Sequence, residues 1–338
     1  MKPRTRKAIL AGLGLVIAAA AGVFYWLTVE LEPVPGSKKV FVRYEKAIPV
    51  SVALADLEKR KILRNATIAG WWARFNWRSQ QVPAGTYEVS QGSALRTLLT
   101  TLAKPIRQMV RLPETNWVRR NARLLEKANV CSAEAYVRLT KQPAQFQSSV
   151  SFPLPKDSLE GYLYPDTYDL PPLLGAEGVI RRQLRNFERR VWVPLGRPKN
   201  LHRLVTVASL VELEVKLDPE RKVVAGVIEN RLRKGMRLQI DAAINYGIQK
   251  WRPLLRSEYK SIVSPYNLYL NDGLPPTPIC SPSVVSLRAA MAPARHNYLY
   301  YVAMPDGHSE FAEDLAMHEN NFRRRKREQA ALLKETSR

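Results

Sequence analysis

Glu212 and Glu214 lie in VASLVELEVKL (207–217), an otherwise largely apolar run. A carboxyl group surrounded by apolar side chains is costly to ionise, so its pKa rises and it keeps a proton near neutral pH. Such a group is suited to act as a general acid toward a leaving oxygen. On a regular helix two residues this far apart point about 200° away from each other, so both cannot face one scissile bond. A glycosidase that flanks its substrate with two carboxylates is therefore not supported by this pair alone. The spacing fits one acting acid with the other glutamate holding the helix through a salt bridge. The alternative is that both are paired with the many arginines nearby.

Other chemistries have weaker signals. No GxSxG, HExxH, GxxxxGK[ST] or GxGxxG occurs in a suitable context. The 4 histidines, at 202, 296, 308 and 318, carry no triad signature, and His308 follows Gly307 in what reads as a turn. Cys131 and Cys280 have neither CxxC nor zinc-ligand spacing, so no metal and no cofactor is expected. A disulfide between them and two unpaired, partly buried thiols both stay open.

The elements that must position the glutamates follow from periodicity. Residues 201–217 are apolar nearly all round, which predicts a central helix. DPERKVVAGVIENRLRKG (218–235) opens with Asp-Pro and closes on glycine, a second helix. Residues 177–195 predict a basic helix, 160–170 a loop or strand edge interrupted by Pro165, and 241–274 a stretch rich in aromatics and turn formers. A Pro-rich loop at 274–293 feeds a helix with Ser283 near its start, 297–312 reads as a hairpin, and a final helix follows with a solvated RRRKR face. Toward the N-terminus, 40–44 and 85–92 predict strands, 50–63 and 65–77 helices, and 93–104 a helix capped by Ser93. Trp71, Trp72 and Trp77 stand at helical spacing and are expected in the core rather than as a sugar-stacking surface. A short strand (106–112) and a helix (113–129) bridge the two regions.

The chain has 338 residues with 53 Lys and Arg against 30 Asp and Glu, a net charge of +23 that draws it to anionic polymers or lipid headgroups. Nucleic acid is not the expected partner, because no zinc-finger spacing, RNP motif or heptad-linked basic helix is present. Residues 8–29 contain no charged side chain and would be about 33 Å long as a helix, enough to cross a bilayer core. Lys2, Arg4, Arg6 and Lys7 place the N-terminus in the cytoplasm, and Tyr25 and Trp26 belong at the far interface. An uncleaved anchor is expected over a signal peptide, because the apolar run continues past the Ala18–Ala21 stretch.

Five ordered blocks then add a resemblance. EGYLYPDTY (160–168), ASLVELE (208–214), VAGVIENRLRKGMRLQID (224–241), SPYNLYLNDGLPPTPICSP (264–282) and YLYYVAMPDGHSEFA (298–312) resemble the endolytic murein transglycosylases, the YceG-like family. The resemblance implies an α+β protein with a single N-terminal transmembrane helix (8–29) after a cytoplasmic N-terminus (1–7). A linker (30–39), a small LysM-like module (40–104), a bridging segment (105–149), a larger α+β catalytic domain (150–322) and a basic C-terminal tail (323–338) would follow. It further implies that Glu214 is catalytic, with Glu212, Glu160, Asp166, Asn230, Gln239, Asp241, Tyr266 and Asn267 binding substrate or supporting the site. The expected reaction cuts the β-1,4 bond after N-acetylmuramic acid without water, leaving a 1,6-anhydro end. Expected partners are peptidoglycan glycan strands and peptidoglycan synthases, the penicillin-binding proteins, at the inner membrane with the catalytic domain periplasmic. A non-catalytic wall-binding scaffold on the same fold is the second reading. The chain departs from the family pattern at Ile240, Ala242 and Ala243, at Thr277 and at Ser283, where loop shape and substrate register are expected to differ.

Overall fold

The chain opens with one helix, α1 (Pro3–Glu30). A computed structural model describes the backbone of residues 3–336 and the side chains of 16–26 and 28–333. Among the described residues no helix is long and apolar enough to cross a membrane. The anchor expected over 8–29 rests in part on residues 8–15 and 27, whose side chains lie outside those described. The chain forms two units, one of residues up to Gln108 together with Asp169–Leu174, the other of Met109–Tyr168 and Gly175 onward.

The first unit contains β1 (Lys39–Tyr44), β2 (Ile48–Pro49), α2 (Val50–Lys59), α3 (Ala66–Asn76), β3 (Gln81–Val82), β4 (Gly85–Ser90) and α4 (Leu95–Leu102). β1 and β4 pair antiparallel with Lys39 opposite Ser90 and Tyr44 opposite Gly85, and β2 pairs with β3. In α4 the buried residues are Leu95, Leu98, Leu99 and Leu102, one stripe at helical spacing that closes the core over Val42, Leu54, Leu57 and Tyr87. The Ser93 cap is not formed: the helix starts two residues later behind Ala94, and Ser93 Oγ lies 2.9 Å from Ser90 Oγ instead. Residues 30–39 are tied to this unit, with Gly92 N–H donating to Val34 O (2.9 Å), Gln91 N–H donating to Lys38 O (3.0 Å) and Leu31 packed on the core.

α3 corrects an expectation. It buries Ala69 and Ala73 against the core, and Trp71 is 71% exposed while Trp72 and Trp77 are only half-buried. Trp72 and Trp77 still pack against the core, and Trp71 does not, because the face of α3 set deepest carries Ala69 and Ala73.

The second unit carries β5 (Met109–Leu112), α5 (Val118–Lys127), α6 (Ala133–Thr140), β6 (Asp166–Asp169), α7 (Ala176–Phe187), α8 (Leu201–Glu214), α9 (Arg221–Arg233), α10 (Asp241–Gly247), α11 (Glu258–Ser261), α12 (Val284–Met291), β7 (Tyr300–Ala303), β8 (Ser309–Ala312) and α13 (Leu315–Thr336). Every residue of α8 from Leu204 to Glu212 is buried, as its all-round apolar sequence predicts, and α8 packs against α9, α10 and α12. The predicted basic helix is shorter than expected: α7 ends at Phe187 and passes into a wider π turn, Glu188–Trp192. α9 is preceded by a single 3-10 turn at Asp218–Glu220 and stops before Gly235, whose φ of +66° suits glycine. Midway along α9, Gly226 admits a close approach. A Cβ there would lie 2.4 Å from Ala294 O and 2.5 Å from His296 Nε2. β7 and β8 form the expected hairpin, with Tyr301 opposite Phe311. Both cysteines are free, Cys280 buried and Cys131 half-buried.

Candidate active site

Glu212 and Glu214 share the last turn of α8 but meet opposite electrostatic surroundings. Glu212 is 7% exposed and points toward the start of α12, where Ser283 donates to its Oε2 through both the backbone N–H (2.9 Å) and Oγ (2.7 Å). Ser283 also caps α12 by accepting from Ser286 N–H at 3.3 Å. Arg221 Nη1 lies 3.1 Å from the same Glu212 oxygen, while Arg221 Nε holds Asp218 at 2.8 Å. Glu212 is thus a buried group whose Oε2 is held between a guanidinium and the positive end of a helix.

Glu214 is the final residue of α8, at the end where unpaired carbonyls carry partial negative charge. It is half-buried. Burial raises its pKa to about 7; a hydrogen bond from Tyr301 and the charge of Arg231 pull it back, and the negative charge of Asp241 pushes it further up. Tyr301 Oη donates to Glu214 Oε2 at 2.7 Å. Burial and the adjacent carboxyl hold the Tyr301 hydroxyl well above its ordinary pKa, so it remains a donor. Glu214 therefore has what a general acid needs: a proton near neutral pH, a fixed orientation and a side chain that is not fully buried.

Arg231, on α9, ties the surrounding loops together. Its Nε donates to Leu299 O (2.6 Å), just ahead of β7, and its Nη1 to Leu238 O (2.8 Å), while the guanidinium lies 5.1 Å from the Tyr300 ring centroid. Gln239 next door is left-handed (φ +55°), held there as its N–H donates to Leu268 O at 3.1 Å. Asp241 begins α10 and accepts from Tyr269 Oη (2.6 Å) and Tyr259 Oη (3.1 Å), whose rings stack 4.3 Å apart.

The remaining expected residues fall in other places. Glu160 is 2% exposed and belongs to a second cluster: both its oxygens accept from Val118 N–H (3.2 and 3.0 Å) at the start of α5, and Tyr246 Oη donates at 3.3 Å. Burial raises the Glu160 pKa to about 8. Tyr266 packs edge-on to Tyr246 and shares a 2.9 Å hydrogen bond with Thr277 Oγ1. Asp166 accepts from Asn186 Nδ2 at 2.9 Å. Asn230 braces α9 against the 296–298 loop, donating to His296 O (2.8 Å) and Tyr298 O (3.0 Å). Asn267 is fully buried, its amide donating to Tyr259 O and Ile262 O and its oxygen accepting from Tyr269 N–H. Glu214, Asp241 and Gln239 are thus brought together through Arg231 and Tyr269, while Glu160, Asp166, Asn230 and Asn267 hold loops or helix ends.

Tyr301, Arg231 and Tyr269 escape sequence reasoning. Tyr301 stands in YLYYVAM, which reads as an ordinary strand; its signal is the pair of adjacent tyrosines, one of which must turn its hydroxyl inward and find a partner. Of the departures noted above, Thr277 and Ser283 supply hydroxyls that are used, one to Tyr266 and one to Glu212.

Comparison with known proteins places this geometry. The chain is 26% identical over 318 residues to an endolytic murein transglycosylase of Bacillus subtilis strain 168, covering 88% of each chain. It is 28% identical over 349 aligned positions to an endolytic murein transglycosylase of Streptococcus pneumoniae serotype 2, covering 91% of this chain and 63% of that protein. The crystal structure of a YceG-like protein from Listeria monocytogenes superposes with a TM-score of 0.55 at 25% identity, over 84% of this chain and 99% of that one. The model of the YceG-like family matches residues 45–324, which include both glutamates of α8 and the β7 tyrosine that holds the second of them. A match of that extent settles the kinship: the chain belongs to the YceG-like family.

Proposed function

We propose that the protein is an endolytic peptidoglycan lytic transglycosylase, with Glu214 as its single catalytic acid and base. The observation that carries this reading is the separation of roles within one helical turn: Glu212 is held by Arg221 and Ser283, while Glu214 is only half-buried and its pKa is raised to about 7. The protonated Glu214 gives its proton to the glycosidic oxygen as the bond to C1 of N-acetylmuramic acid breaks. The C6 hydroxyl of the same sugar then bonds to C1, and its proton passes to the Glu214 carboxylate, which restores the acid. The internal nucleophile has a high effective concentration, so no second carboxylate has to activate water. Tyr301 orients the carboxyl, and Asp241, with Gln239 beside it, lies where sugar or peptide groups would be read.

The same reading extends to location. Residues 8–29 form the anchor in the inner membrane, with the N-terminus cytoplasmic and the enzyme domain periplasmic, where it limits the length of nascent strands beside peptidoglycan synthases. The first unit is LysM-like; its strand–helix–helix–strand order with antiparallel outer strands supports this.

Digestion of purified glycan strands, followed by mass spectrometry of the ends, tests the proposal. The wild type generates 1,6-anhydro ends, and Glu214→Gln lowers the rate by about 10²–10⁴-fold. Intact strands with both proteins would instead indicate a wall-binding scaffold. Loss of activity in Glu212→Gln with retention in Glu214→Gln would move the acid to Glu212.

A further inference from the structure

We propose that the outward face of α3, centred on Trp71 and Phe75, seats in the interfacial layer of the same bilayer that residues 8–29 cross; this rests on the anchor reading above. α3 inverts the usual pattern of a surface helix. Its alanines, Ala69 and Ala73, are buried and Trp72 packs partly against the core, whereas Trp71 and Phe75 point out, 71% and 76% exposed. Together with Leu31, Thr67, Ile68 and Trp72 they line a groove of about 390 Å³. A contiguous exposed apolar patch of this kind marks a partner.

Three features name the partner. The first is continuity with the apolar helix. Leu31 is the first residue after α1, packs on the core of the first unit and lines the groove. The chain leaves α1 through a tight turn, with Leu31 N–H donating to Thr28 O (3.2 Å) and Glu32 N–H to Val29 O (3.1 Å). The patch thus lies within a side chain's length of the end of the apolar run, not on a long tether. The second is lining chemistry: apart from the two indole N–H groups, Thr67 is the one polar side chain in the groove, too little to satisfy the hydroxyls of a sugar. The third is charge, because Arg64, Arg74 and Arg78 are exposed beside these residues in sequence and suit anionic headgroups. Aromatic side chains with a basic rim are the composition of an interfacial helix.

Nitroxide labels on the full chain in vesicles of phosphatidylethanolamine and phosphatidylglycerol test this, in a Cys131→Ser background with the buried Cys280 left in place. Thr67→Cys reports the groove with both aromatics intact, Ile17→Cys reports the anchor and Arg96→Cys on α4 is the aqueous reference. The readout is collision with oxygen relative to a water-soluble nickel chelate. The expected result is a ratio at position 67 severalfold above that at 96, falling to the value at 96 when Trp71→Ala and Phe75→Ala are added. A ratio at 67 equal to that at 96, with position 17 still in the bilayer, overturns the proposal and leaves the anchor standing. Water-like values at both 67 and 17 overturn both. Protection of position 67 from both colliders only on addition of glycan strands would make the groove a sugar site and overturn the lipid assignment.

Discussion

Replacing Tyr301 by Phe removes one atom and leaves the ring in place, so it isolates the 2.7 Å hydrogen bond to Glu214. A hydrogen bond to a charged group contributes about 1.5–3 kcal/mol. At 1.36 kcal/mol per pH unit that corresponds to about one to two units of carboxyl pKa, and because the neutral acid also accepts from Tyr301, about one unit is the differential part. The bond favours the carboxylate, so its loss raises the Glu214 pKa above about 7. With Glu214 as the proposed acid, the protonated carboxyl is the active form, and its population falls as pH rises through that pKa. The alkaline limb of kcat/KM in Tyr301→Phe therefore moves up by about one unit, and near pH 8 the variant keeps roughly fivefold more of its own maximum than the wild type does. Release of 1,6-anhydro ends followed from about pH 5 to about pH 9 measures this. An alkaline limb that stays in place, or moves down, would refute the assignment of Glu214 as acid and Tyr301 as its positioning residue.

Glu160 gives a second pH dependence, this time in stability. Its folded pKa is about 8 against 4.5 for the free group, so its contribution is fully present below about pH 4.5 and is lost as pH rises through about 8. By about pH 9 ionisation costs on the order of 5 kcal/mol; Glu160→Gln keeps an acceptor for Val118 N–H, cannot ionise, and should flatten the fall of Tm with alkaline pH, whereas an equally steep fall would show that Glu160 ionises freely. Arg221→Ala leaves Glu212 buried without its guanidinium and should cost about 3 kcal/mol by denaturant unfolding, while Glu212→Gln with Arg221→Met recovers most of it. A single variant within about 0.5 kcal/mol of wild type would mean that Ser283 alone suffices for Glu212.

How much of this was legible beforehand depended on how local the information is. The centrality of α8 could be read because a helix apolar on all sides has nowhere to go but the interior. The opposing directions of Glu212 and Glu214 follow from helical geometry alone. Which of the two is partnered did not, since Arg221 and Ser283 reach Glu212 from α9 and from the start of α12, and only the tertiary arrangement brings them there. Trp71 failed for a related reason: spacing identifies the stripes on a helix, and the choice between an indole stripe and an alanine stripe is made by the neighbouring helix. Asn230 and Asn267 have the residue types expected of sugar ligands, and such side chains equally often satisfy backbone groups in irregular segments, as both do here. Tyr301 was hidden because its role is defined by a partner 87 positions away.

The position of Glu214 as the closing residue of a deeply packed helix limits how its carboxyl can be re-aimed. A carboxyl on a loop can be re-aimed by rotating a single peptide; one at the terminus of α8 can move only if the core moves with it. The segment 241–283 shares that core through Ala243, Ile244, Leu268 and Ile279, and its Asp241 pushes the Glu214 pKa up, so substitutions there reach the carboxyl through packing and charge.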